Sequence, residues 1–474
     1  MVELQGPSRR RRLIAAAVVF LLSFAFRALH AVDLAPSMGK RGQPGLYMSR
    51  MYDDRALEMM LAGDGWLYPA NPDPARTGLL ARPPGYPILL VAIDRTLGRS
   101  AYLVQLIQNV ISSLASVALL LLGESLCGFS VGLVAALLAA VAPSLACGPA
   151  LISPEAISAL LLLAASVLLA KGAAAGEPPL AWRAVAAGLV FGVATWLRPN
   201  YLLLGAFLAV VLSLASRRPR AAFVRLLALP LGTLLLVAPI TYRNYRVFGA
   251  FVPVSINGGI TFWEGIADAG GLGFGARPKD QKVARLEAER QDDERYRSWW
   301  AEPDGIERDR RRYRDSLDVI RRRPLWYLGA MVRRMGRMFR YDLPDPPLVG
   351  SRPPDEPAAA EPWDDELGRW PAVLSPQATL SPGRALSVLR PLARLLQQLE
   401  RFSLLPLALL GLVLVLRSSW RLALWIAAVP LYFLLFESMF MLEWRYILPM
   451  HYYVFLFAAA GLLWLCRQLR ARVS

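Results

Sequence analysis

Apolar residues in this chain come in long blocks rather than in alternation. Runs at about 12–30, 102–122, 129–147, 154–171, 182–197, 200–216, 222–242, 402–416, 419–437 and 447–466 carry few charges. Several approach the roughly 20 residues that take a helix through the hydrocarbon core of a bilayer. Others are shorter or interrupted by proline. The pattern predicts an all-α polytopic membrane protein with about ten transmembrane helices. Two long polar intervals, 31–101 and 243–401, separate the blocks. The chain then divides into an N-terminal transmembrane module at 1–242 that includes the first loop, a large loop at 243–401, and a C-terminal transmembrane module at 402–474.

Basic residues orient the spans. Arg9 to Arg12, the Lys171–Arg183 connection, the Arg217–Arg225 cluster, Arg417 with Arg421, and Arg467 to Arg472 fall on one side when the spans alternate. Cytoplasmic loops are enriched in Arg and Lys, so both termini are expected in the cytoplasm and both long loops outside. Arg27, His30 and Asp33 follow the first span where a small-residue cleavage site would stand, so that span reads as an uncleaved signal-anchor. Within the large loop, 279–318 is charged and helix-prone. At 318–340 Arg alternates with Leu, Trp, Met and Phe, as in a helix lying along the interface. The segment 341–385 is rich in Pro and acids and reads as irregular.

Composition narrows the classes. With 55% hydrophobic residues and a mean hydropathy of +0.38, the 474-residue chain lies outside the soluble range. The net charge of +17 points to cytoplasmic loops and anionic headgroups rather than to nucleic acid. Only two histidines, His30 and His451, are present, which argues against a histidine-based metal centre or a Ser-His-Asp triad. Cys127, Cys147 and Cys466 show no metal or redox spacing, and the alternation of spans puts Cys147 on the opposite face from the other two. No phosphate-binding glycine loop and no internal repeat occurs.

Candidate chemistry gathers in the outward-facing segments. MYDDRALEMMLAG places Asp53 and Asp54 together after the first span. One acid suffices to cap a short helix at about 54–62 closed by Gly63. Tyr52 and the methionines would press the second against apolar surface, where burial or a like charge raises a carboxyl pKa and makes a better base. Asp54 and Glu58 share a helix face, so which acid points into a site stays open. RPPGYP makes a rigid segment that either re-enters the membrane stiffly or holds Arg82 and Tyr86 in place. Glu155 opens the fourth span, Arg198 sits between the fifth and sixth, and Arg243 and Asn244 close the seventh. Trp263 and Glu264 follow NGG, and Glu443, Arg445 and Tyr446 precede the last span. Each alone is an ordinary interfacial anchor. Together they put several Arg residues on the side that should be poor in them, as an anionic ligand would require.

In this order, Tyr52-Asp53-Asp54, the PP element, Ser153-Pro154-Glu155, Arg198-Pro199, PITYRNYRVFGAFVPVSINGG and Arg445-Tyr446 with Pro449 resemble the GT-C glycosyltransferases. The nearest type is glycosyltransferase family 39, the bacterial branch similar to protein O-mannosyltransferases and aminoarabinose transferases. The resemblance covers 1–270 and about 400–466 and is weak across 270–400. It implies a GT-C fold with small helices in two large extracytoplasmic loops, in a bacterial inner membrane, with the site facing the periplasm. It implies inverting transfer from a polyprenyl-phosphate sugar donor to a glycan, lipid or protein acceptor, among membrane lipids. Asp53 would be the base, with Asp54 where many relatives have Glu, so the division of labour between the two stays open. Glu155 would be the second acid. Arg82, Arg198, Arg243 and Arg445 would grip phosphate, with Tyr86, Asn244 and Tyr446 beside them. Trp263, Glu264 and Glu443 are candidates to line the substrate. Metal use varies in the family; no essential transition metal is expected, which leaves a divalent cation as the candidate cofactor. A flippase or transporter of anionic lipid-linked substrates, a lipid-linked glycan ligase and an assembly scaffold are the competing readings. A transporter is expected to carry its ionisable groups at mid-membrane on broken helices.

Overall fold

A computed structural model describes residues 8–34, 56, 80–98, 100–170, 181–216, 218–270, 280–297, 304–339, 384–442 and 444–473. All regular structure among them is helical. In chain order the helices are α1 Arg9–Leu34, α2 Gly85–Leu97, α3 Ala101–Cys127, α4 Phe129–Ala140, α5 Pro143–Ala150, α6 Glu155–Ala170, α7 Ala181–Leu197 and α8 Leu204–Leu214. They continue with α9 Pro219–Phe248, α10 Asn257–Asp268, α11 Asp280–Gln291, α12 Gly305–Arg322, α13 Pro324–Arg337, α14 Arg384–Ser418, α15 Trp420–Glu437 and α16 Trp444–Val473.

Six of these, α1, α3, α9, α14, α15 and α16, are long and apolar enough to cross a membrane, and α4 with α5 makes a seventh if the bent pair is one span. The chain is a multi-pass α-helical membrane protein. The blocks that form α6, α7 and α8 give helices of 16, 17 and 11 residues. At 1.5 Å per residue even the longest of the three covers only about 26 Å. Hydropathy does not separate a short buried helix from a span. Two predicted boundaries also move. The block expected at 402–416 is the end of α14, which starts at Arg384, and the single block at 129–147 is broken at Val141 by a 64° bend ahead of Pro143.

α16 forms the centre of the bundle. Tyr452, Tyr453, Phe455, Leu456 and Phe457 are buried on successive faces, and the helix packs on α14, α4, α6 and α15. In lipid, helix association depends on close van der Waals approach, which small residues permit. Gly188 of α7 faces Gly232 of α9, and Gly411 of α14 faces Gly461 of α16. A Cβ on Gly411 would stand 1.8 Å from the backbone O of Phe457. Gly411→Val therefore pushes α14 off α16 and should cost about 1–3 kcal/mol. A lowered melting temperature of the detergent-purified protein checks this; an unchanged one contradicts the packing.

The bend between α4 and α5 is filled from both sides. Arg27 is fully buried; its Nη1 donates to Ala140 O at 3.2 Å and its Nη2 to Ala139 O at 3.5 Å, the last carbonyls of α4. Its Nε donates to Ser112 Oγ at 2.8 Å, its Nη2 to Tyr452 OH at 3.2 Å, and its Nη1 also to Ser23. Across the bend, Glu400 of α14 accepts from Ser144 N at 3.2 Å and from the Ser144 hydroxyl at the start of α5.

α10 to α13 form a small helical unit on one end of the bundle. Tyr327 OH donates to Met439 O at 2.8 Å, Met441 N to Thr261 O at 3.1 Å, and Arg334 Nη1 to Ser438 O at 2.9 Å. Arg334 also caps Gly265 O in α10. Inside the unit Glu287 accepts from both Arg308 and Arg312 at 2.7 Å. Burial pushes the Glu287 carboxyl up, and the two guanidiniums more than reverse this, holding it below the usual range. Asp309 differs. It accepts from Gly259 N at 2.8 Å, but burial pushes its carboxyl up to about 7, against the pull of the Gly259 amide, Arg312, the Ile260 amide and Arg310. A folded-state pKa above the unfolded one means the folded unit binds the proton more tightly. The stability it contributes is present below pH ~4 and is lost as pH rises towards 7. Hydrogen exchange in α10, corrected for intrinsic rates, should quicken over that range, and Asp309→Asn should flatten the dependence.

Candidate functional site

At the end of the bundle that carries α10 to α13, five pieces of chain meet: the start of α6, the end of α7, the 3-10 turn Pro199–Tyr201, the end of α15 and the start of α16. Pro199 forces Arg198 into extended backbone (φ −149, ψ 121), so α7 stops and the Arg198 side chain turns back over α6. Arg198 Nη1 donates to Glu155 Oε1, and the Glu155 side chain is fully buried. The Arg198 guanidinium lies 3.9 Å from the centre of the Tyr446 ring. Arg445 lies 4.9 Å from the same ring and donates to its hydroxyl at 3.2 Å. Two guanidiniums far apart in sequence thus share one aromatic ring, an arrangement that cation–π attraction permits despite their like charge.

Next to this pair, Asn200 Nδ2 donates to buried Glu437 at the end of α15, and the Tyr432 hydroxyl donates to Asn200 O. Arg198, Glu437 and Glu155 are all close enough to act electrostatically on Tyr201. The Tyr201 hydroxyl faces Ser158, whose own proton goes to Pro154 O at 3.0 Å, and it closes no bond of ordinary geometry. Glu155 Oε2 and Asn200 Oδ1 are also buried without a hydrogen-bond partner among the described residues. Buried polar atoms are nearly always satisfied, so three exceptions in one junction require an explanation. The junction supplies forked N–H donors for an anionic oxygen and, from Glu155, a carboxylate oxygen for a hydroxyl.

Sequence-predicted residues distribute as follows. Glu155, Arg198, Arg445 and Tyr446 come together. Arg82 is half-buried and reaches the same end of the bundle, because Gly85 packs so closely on α7 that a Cβ there would stand 2.6 Å from Trp196 O. Tyr86 is buried beside α3 and donates to Gln108 Oε1 at 2.6 Å, while Gln108 Nε2 donates to Pro149 O at 3.0 Å. Asn244 is buried, bonds Val252 O at 3.0 Å and accepts from Arg243 at 3.3 Å, which fixes the turn after α9. Trp263 is in the interior of the α10–α13 unit with Arg312 5.4 Å above its ring, and Glu264 acts electrostatically on Arg312. Asp53, Asp54 and Glu443 lie outside the described residues, as do most of the helix expected at 54–62 and of the segment 341–385.

Asn200, Tyr201 and Glu437 were not singled out from the sequence. Glu437 had a usable signal, an acid ending an apolar span in LLFESMF, where an ionisable group is a functional candidate by default. Among the described residues no three His, Cys, Asp or Glu side chains gather as metal ligands. No protein-family model matches the chain, and no curated protein matches it.

Proposed function

We propose that this protein is a GT-C-type membrane glycosyltransferase that transfers a sugar from a polyprenyl-phosphate donor to an acceptor hydroxyl or amine on the extracytoplasmic face of a bacterial inner membrane. In this reading α6, α7 and α8 complete ten membrane passages as short helices, and the Arg-rich ends opposite the junction face the cytoplasm. The single observation that carries the reading is the convergence of Arg198 and Arg445 on Tyr446, beside a Glu155 oxygen that has no hydrogen-bond partner among the described residues.

The chemistry is a single displacement. The acceptor oxygen or nitrogen attacks the anomeric carbon, its proton passes to Asp53 or Asp54, and the bond from that carbon to phosphate oxygen breaks with inversion. The leaving phosphate gains charge and needs no proton, so its stabilisation falls to Arg198 and Arg445, joined by Arg82. Glu155 Oε2 orients the acceptor. The donor dissolves in the bilayer, which removes the need for a nucleotide site.

Polyprenyl phosphate is the product common to every donor of this class and tests the reading whatever the sugar. It should raise the melting temperature of the purified protein, and Arg445→Gln should remove most of that gain, measured against the variant's own unliganded melt. Asp53→Asn and Asp54→Asn should bind it normally and fail to release it from donor. No stabilisation of the wild type by polyprenyl phosphate, or unimpaired release by both Asp variants, sinks the proposal.

The bent α4–α5 pair is the observation that favours a lipid translocase, since broken helices frame transporter sites. Here, however, both facing helix ends are occupied by Arg27 and Glu400 of the chain itself. That weighs for the transferase.

A further inference from the structure

We propose that the outward face of α13, headed by Arg321, Arg322 and Arg323, docks on the membrane leaflet beside the candidate site and selects anionic phospholipid headgroups. The proposal does not depend on the catalytic reading.

α13 has two apolar faces. Tyr327, Ala330 and Arg334 are buried against the bundle end. At 100° per residue, Leu325, Leu328 and Val332 point the opposite way, and they are 81%, 54% and 65% exposed. A bare stripe of this kind is a liability in water and an asset in an interface, where a helix buries one face among acyl chains. Its height fits that use. Tyr327 and Arg334 bond Met439 O and Ser438 O, the residues that immediately follow membrane-spanning α15. The stripe is therefore held at the level where a span leaves the hydrocarbon.

Charge selects the partner. Arg321, Arg322 and Arg323 are consecutive and exposed at the joint between α12 and α13, and Arg333 is exposed on the flank of the stripe. Arg322 pairs with Asp318 at 2.6 Å and Arg337 with Asp268 at 3.8 Å. Arg321, Arg323 and Arg333 have no carboxylate partner among the described residues. Three guanidiniums beside an apolar stripe match phosphate headgroups above acyl chains, each contributing through surface potential and forked hydrogen bonds.

The test uses the full chain in lipid nanodiscs, with Cys127, Cys147 and Cys466 replaced by Ser and a nitroxide placed through Leu325→Cys, Leu328→Cys or Val332→Cys. Arg314→Cys on α12, which is 66% exposed at its side chain, is the aqueous control. Labels on the stripe should collide with oxygen and be protected from a nickel chelate, with the control label showing the reverse. Native mass spectrometry against mixed phosphatidylglycerol and phosphatidylcholine should show phosphatidylglycerol retained preferentially. The Arg321→Gln, Arg323→Gln, Arg333→Gln triple variant, with the same melting temperature, should lose about tenfold of that preference. Nickel access to the stripe, shielding from both reagents (which would mean protein covers it), or a lipid preference unchanged in the triple variant each overturns the proposal.

Discussion

Arg198→Gln should abolish donor turnover and also destabilise the protein, and a second substitution should separate the two effects. Alone, the variant leaves the Glu155 carboxylate buried without the Arg198 guanidinium that pairs with it. Breaking a buried pair from one side costs about 3–5 kcal/mol, since the orphaned charge remains. If Arg198 also meets the charge that grows on the leaving phosphate, its loss removes about 3–4 kcal/mol of transition-state stabilisation, or roughly 10²- to 10³-fold in kcat. Adding Glu155→Gln gives two neutral amides that can bond each other, so the melting temperature should recover most of its drop. Turnover should not recover. A double variant that regains turnover with its stability would make the pair a structural brace and remove Arg198 from the chemistry. Arg198→Lys should keep the charge and much of the stability, yet lose the forked geometry and the contact with Tyr446, with turnover falling further than stability.

The gathering of Glu155, Arg198, Arg445 and Tyr446 was legible in the sequence because topology alone brings span ends to one side. Alternation of apolar blocks fixed which turns share that side, and an excess of Arg there marked them. What topology does not carry is the partner of each side chain. Tyr86 and Asn244 are candidates to lie beside a phosphate, and the sequence does not show that Gln108, 22 positions on, accepts from one and that the turn at 252–254 accepts from the other. Trp263 is a candidate to line the substrate, and the sequence does not show that it is the largest buried side chain of the α10–α13 unit. The span count turns on a related point. The residues of α6, α7 and α8 are as apolar as any span, but Pro154 precedes α6 and Pro199 separates α7 from α8, and a hydropathy window averages such breaks away. The early start of α14 was hidden by Arg390, Arg394, Glu400 and Arg401, charges that read as loop. Glu400 is inside the protein because a helix N-terminus on another segment accepts it.

That pairing leads to the largest effect expected away from the candidate site. Arg27 stands about 27 Å along α1 from Arg9, deep in the bundle, and its described hydrogen bonds go to carbonyls and hydroxyls rather than to a carboxylate. Its charge is met by the C-terminal end of α4, worth about half a negative charge, and the Glu400 charge by the N-terminal end of α5, worth about half a positive one. Each side chain is thus the countercharge of half a broken span, and the break joins them. Arg27→Gln should cost about 3–5 kcal/mol, because it exposes the last carbonyls of α4 to an apolar interior and leaves Ser112 and Tyr452 without their donor. Glu400→Gln should cost less, about 1–2 kcal/mol, since an amide oxygen still accepts from Ser144. The two helix ends neutralise each other when neither ion is present, so the double variant should fall short of the summed losses by about 1 kcal/mol or more in equilibrium unfolding. Strict additivity would mean that the ions act independently and that the bend is held by Pro143 alone. The same cycle bears on transport. A substrate path through the break requires these helix ends to open, so Arg27→Gln in a translocase should alter lipid flux before it alters stability. In a transferase it should unfold the bundle and spare the selectivity of whatever activity survives.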